Sequence, residues 1–136
     1  MILCLSSPNR WAVRLVKIYG AAAAFVAAFG QIYLRFSHGV FSRYMCFAFM
    51  IPFVFGVCFW SIFAYTKLMP ERNPALESLM HAATVTLTIG AIERGIVYIY
   101  GTTNILLDVF FYAAGILYAA AALVFFFTLW KRHLRK

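Results

Sequence analysis

Residues 78–100 read SLMHAATVTLTIGAIERGIVYIY, long enough to cross a bilayer, for which about 20 apolar residues suffice. Near one end this run carries Glu93 and Arg94 side by side. A charge placed in hydrocarbon costs several kcal/mol, so it must face protein or water and normally has a partner. Whatever the chain folds into has to give those two side chains something to face.

Three other apolar blocks accompany this one, and the expected spans are 16–34, 44–66, 78–100 and 104–130, followed by a basic tail, 131–136. The 136 residues are 65% hydrophobic and only 12% charged, too little polar sequence to cover a water-soluble fold. The reading is all-α: a single membrane domain, 1–136, built as a bundle of four transmembrane helices. The net charge of +8 matters less than its placement. Arg10, Arg14, Lys17, Lys67, Arg72, Lys131, Arg132, Arg135 and Lys136 share one side if the chain starts inside and crosses four times. Arg35 and Arg43 fall on the other side. That bias follows the positive-inside rule and puts both termini in the cytoplasm of a bacterial plasma (inner) membrane. The basic residues are topology signals, so the expected surroundings are the lipid bilayer and other membrane protein, with no nucleic acid.

Along the chain, Ser7-Pro8 resembles a helix start, with Trp11, Arg14 and Lys17 at the inner interface. Basic residues followed by AAAAFVAAFG also resemble a secretory signal with a poor cleavage pattern at Gly30. Its removal would leave three spans and upset the charge bias, so the first span is expected to stay. Small residues line that span in two rows, Gly20, Ala24 and Ala28 in one, Ala23 and Ala27 in the other. Such rows allow close helix approach in lipid. Pro52 predicts a kink in span two. Glu77 and Ser78 suit the first turn of span three, and Asn104 can cap span four after the short Gly101-Thr102-Thr103 connection. Cys4, Cys46 and Cys58 form no CxxC pair and read as small apolar packers.

The short connection sets depth. Arg94 lies about 9 Å of helical rise before Tyr100, and Asp108 about 6 Å after Asn104. The two charges fall at similar depths on antiparallel helices, which predicts an Arg94–Asp108 pair. Glu93 would then turn toward Gln31, Arg35 and Arg43, with Tyr98 and Tyr100 completing the rim. Along span three His81, Thr84 and Thr88 form one stripe, and Ala82, Thr86, Gly90 and Arg94 an adjacent small-then-charged one. The candidate cluster is therefore Glu93, Arg94, Asp108, Gln31, Arg35 and Arg43. It reads either as a staple fixing helix register or as a small outward-facing polar pocket.

No Ser/His/Asp set, phosphate loop or HExxH motif occurs. His38 and His81 lie on opposite sides of the bilayer in this topology, against a bis-His haem between them. No catalytic residue, cofactor or metal is expected, and no enzyme.

The segments HGVFSRYMCFAFMIPFVFG and LTIGAIERGIVYIYGTTN resemble a loose group of small bacterial four-span membrane proteins. In that group an RG pair followed by IYGTT closes span three, here Arg94-Gly95 and Ile99 to Thr103. The resemblance implies the four-span plan and carries no activity. The size is also similar to the small multidrug transporters, whose membrane carboxylate belongs in the first helix; this first span has none. The expected role is an accessory or regulatory subunit acting through helix–helix association. The alternative is a small transporter or channel protomer with an outward polar site.

Overall fold

Apolar runs of this length satisfy their own backbone groups in lipid only as helices or closed barrels. The computed structural model describes residues 9–37, 39–66 and 71–134. Cys4, Ser7-Pro8, His38, Lys67, Arg135 and Lys136 lie outside the described residues. Among the described residues four helices are long and apolar enough to cross a membrane: α1 (Arg10–Phe36), α2 (Arg43–Tyr65), α3 (Pro74–Ile99) and α4 (Ile105–Leu134). The protein is an all-α, multi-pass membrane bundle.

The helices outrun the apolar spans because interfacial residues continue them. α3 starts at Pro74 instead of 78, since the Asn73 side chain accepts from the N–H groups of Ala75 and Leu76, at 3.1 and 3.2 Å. Proline follows at the first helical position, where its missing N–H costs nothing. Glu77 stands in this first turn. Asn104 accepts from Leu106 N–H at 3.0 Å, opening a 3-10 turn, Ile105–Leu107, that leads into α-helix from Asp108 to Leu134. Lys131 and Arg132 therefore belong to the last turn of α4. In α2, Pro52 cannot donate to the ladder, and the next six residues, Phe53–Cys58, wind as π-helix before α-helix resumes at Phe59.

Two cores hold the bundle. At the end of the bundle where α1 begins and α4 finishes (the inner end), Ala12, Leu15 and Tyr19 of α1 meet Trp60, Phe63 and Ala64 of α2, Leu76 and Met80 of α3, and Ala121 of α4. Trp11 and Trp60 pack edge to face at 5.7 Å there, and Phe63 meets Phe125 at 5.8 Å. Toward the outer end Val26, Ala48 and Ala91 join α1, α2 and α3. Met45 is sandwiched at this level. A Cβ on Gly30 would stand 2.9 Å from its carbonyl oxygen, and one on Gly95 3.0 Å from its amide nitrogen. The expected small rows of α1 behave differently from each other: Ala23 is buried, while Ala24 and Ala28 are exposed.

Gly30→Ala would push against backbone, with no flexible side chain to yield. It is expected to destabilise the bundle by about 1–3 kcal/mol, the usual range for overpacking. Gly20→Ala has nothing within 4 Å of the added carbon and should leave the unfolding midpoint in detergent unchanged. Thermal unfolding of the two variants beside the parent chain checks both statements.

Candidate functional site

At the outer end Arg94 Nη1 donates to Asp108 Oδ1 at 2.5 Å, joining α3 to α4. The Arg94 guanidinium also lies 5.2 Å from the Tyr44 ring and 5.4 Å from the Phe111 ring. An ion pair, one tyrosine and one phenylalanine thus account for it. Both side chains of the pair are 39% exposed, open to a hollow of about 290 Å³ whose wall also includes Tyr98, Thr102 and Asn104. Facing charges at one depth is what the tight connection from α3 to α4 imposes.

The rest of the expected cluster does not assemble. Gln31, Arg35, Arg43 and Glu93 are all exposed, and no ion pair among the described residues joins Glu93 to Arg35 or Arg43. The reason is the face of α3 that packing selects. Ala91 and Gly95 are buried on the side of α1 and α2, with Gly95 against Met45. At 100° per residue Glu93 lies about 160° from Gly95, on the opposite side of the helix. It points out of the bundle.

Among the described residues Arg94–Asp108 is the last of three polar rungs along the α3–α4 seam. At the inner end Asn73 Nδ2 donates to Thr128 Oγ1 at 3.0 Å. Midway, the Thr84 hydroxyl and Tyr118 Oη lie 3.0 Å apart, with Thr84 Oγ1 also donating to the Met80 carbonyl at 2.7 Å. From Asn73 to Arg94 is about 30 Å of helix, so the rungs span the whole hydrocarbon thickness.

A second cluster lies at the inner end, where the sequence reading placed none. Arg72 donates to both oxygens of Glu77, from Nε at 2.5 Å and from Nη2 at 2.9 Å. The carboxylate raises the Arg72 guanidinium above its already high range, chiefly through these hydrogen bonds. His81 stands one turn beyond Glu77 with Nε2 3.6 Å from Oε1, and Tyr19 Oη of α1 lies 2.6 Å from its Nδ1. The two ring nitrogens thus face different neighbours, Nδ1 the Tyr19 hydroxyl and Nε2 the Glu77 carboxylate. The Glu77/His81 spacing of four is visible in the sequence, and Tyr19 and His81 lie at similar heights above the starts of α1 and α3. Among the described residues, no three His, Cys, Asp or Glu side chains are grouped as metal ligands would be.

No family model, curated protein or solved structure matches the chain. Its chemistry therefore has to be read from these two clusters. The outer pair joins a cation of α3 to a carboxylate of α4 at the end of the ladder. The inner one ties the loop before α3 to that helix and, through Tyr19, to α1.

Interhelical polar contacts in membrane proteins couple by about 0.6 kcal/mol on average and at most about 1.7. Asp108→Asn and Arg94→Gln are each expected to lower stability, with a coupling energy in that range between them. A double-mutant cycle from unfolding in mixed micelles reads it. A coupling near zero would remove the pair from the ladder.

Proposed function

We propose that the protein is a non-enzymatic accessory or regulatory subunit that works by lateral association with another membrane protein in a bacterial plasma membrane. The same proposal keeps it with the small four-span proteins that its IYGTT segment resembles. Glu93 carries the reading. It is an exposed carboxylate on α3, about 9 Å of helical rise before the outer end of the helix. α3 is about 39 Å long against a hydrocarbon core of about 30 Å, so this position falls below the polar boundary. A carboxylate there is costly beside lipid and is accommodated by a donor from a neighbouring chain.

The outward surfaces support the same reading. Ala24 and Ala28 on α1, and Gly115, Ala119 and Ala122 on α4, are exposed rows of small residues at helical spacing. α4 buries only 11% of its most apolar window, and Ile116, Leu123 and Phe127 are each about two-thirds exposed or more. Such a helix offers a partner a long surface of low relief.

A second reading rests on the outer hollow of about 290 Å³, open beside Arg94 and Asp108. In it the chain is a transporter or channel protomer, and the pair lines an outward polar site. Four helices with packed cores enclose little space, so that role also requires an oligomer.

The deciding experiment is purification of the tagged full-length protein in mild detergent, with mass spectrometry of whatever accompanies it. A stoichiometric larger membrane protein is expected. Glu93→Lys should release it by about tenfold or more, equivalent to about 1.4 kcal/mol, while the unfolding midpoint stays that of the parent. A lone homo-oligomer indifferent to Glu93→Lys would overturn the accessory reading and leave the transporter one, to be tested by flux through Asp108→Asn.

A further inference from the structure

Arg10, Arg14 and Lys17 recur at one-turn spacing on α1, all exposed, and among the described residues none of them forms an ion pair. Arg10 and Arg14 open onto a hollow of about 460 Å³ between α1 and the start of α3, whose wall includes Trp11, Arg72, Glu77 and His81. An adjoining hollow of about 350 Å³ shares Arg10 and Arg14 and adds Lys17. Within this wall the single carboxylate, Glu77, is already taken by both arms of the Arg72 fork. The charge on α1 is therefore uncompensated, and it faces a space large enough for a phosphate group.

Two guanidinium groups one turn apart present planar pairs of N–H donors, the arrangement that suits a phosphate better than any ammonium does. Their depth is that of lipid headgroups. α1 is about 40 Å long, so about one turn at each end extends beyond a hydrocarbon core of about 30 Å. Below Arg14 the same surface continues through Ile18, Ala21 and Phe25, at further helical steps, all exposed and all apolar. A soluble phosphate has no use for that stripe, whereas an acyl chain lies along it. This end of the bundle is also the one rich in Lys and Arg, facing the leaflet in which anionic lipid supplies the negative surface potential.

We infer that the hollow between α1 and the start of α3 is a binding site for an anionic phospholipid, with Arg10 and Arg14 on the headgroup phosphate and Lys17 flanking it. The Arg72–Glu77–His81 chain forms the opposite wall. Its cation and carboxylate hold each other, which fixes the width of the site without competing for the lipid. The inference is independent of the accessory reading and of Glu93.

The test uses the full-length protein in nanodiscs of equal parts phosphatidylglycerol and phosphatidylcholine, where both leaflets are available whichever way the chain inserts. Native mass spectrometry then counts the lipid retained per chain. One phosphatidylglycerol is expected per chain, with a preference over phosphatidylcholine of about fivefold for each arginine engaged. Arg10→Gln with Arg14→Gln should abolish the preference, and Arg10→Lys with Arg14→Lys should keep part of it. Circular dichroism and the unfolding midpoint report folding. If the double glutamine variant fails to fold, Arg14→Gln alone should lower the preference about fivefold. Equal retention of the two lipids, or a preference untouched in the glutamine variants, overturns the inference. Displacement of the lipid by inorganic phosphate at equal concentration also overturns it and assigns the hollow to a free phosphate compound.

Discussion

The seam between α3 and α4 is what the bundle most depends on. In lipid no hydrophobic drive presses one helix against another, because the tails are as apolar as the side chains. α4 buries few residues, Ala114 and Ala121 among them. Its position is set by close approach to α3, where a Cβ on Gly90 would stand 2.5 Å from Phe110 Cβ, and by three polar rungs among the described residues, Asn73–Thr128, Thr84–Tyr118 and Arg94–Asp108. Each leaves an unsatisfied group in hydrocarbon if the helix slides, so the rungs add register to what the packing provides. The other three helices are held by close backbone approach around Met45 and by an aromatic core around Trp60, which Ala121 of α4 also joins.

The two ends of the molecule use charge in opposite ways. At the outer end one cation and one carboxylate meet and cancel, and both remain partly open. At the inner end Glu77 is held between Arg72 and His81, and α1 supplies further cations to the same hollow. The excess of positive charge in the sequence lies on that side. The same residues, once placed around a cavity, also have the geometry to hold an anion.

Much of this was legible in the residues. Four spans follow from apolar length, and the Arg94–Asp108 contact follows from helical rise and a three-residue connection. Depth can be counted; direction cannot. Glu93 points outward because Gly95 and Ala91 are the residues that α1 and α2 bury, a choice made by the shape of Met45 rather than by any local pattern. The start of α3 was readable in Asn73-Pro74, but the apolar run beginning four residues later drew the boundary inward. Tyr19 and His81 are 62 positions apart, and their meeting depends on how α1 leans on α3. Only the Glu77/His81 half of that cluster has a local signature.

The π-helical stretch after Pro52 divides α2 into two frames. A π turn takes up one residue more than an α turn, so everything after Cys58 is rotated relative to a continuous α-helix by roughly the 100° that one residue represents. Before the break α2 presents Met45 and Ala48 to its neighbours; after it, Trp60, Phe63 and Ala64. The extra residue is a phase correction between the two cores. Winding this stretch as α-helix with all its residues kept would turn the aromatic half toward lipid, whereas loss of one residue would straighten it and leave Trp60, Phe63 and Ala64 facing the core. What 53–58 must preserve is therefore its winding together with its length, since the two changes cancel and either one alone misplaces the inner core.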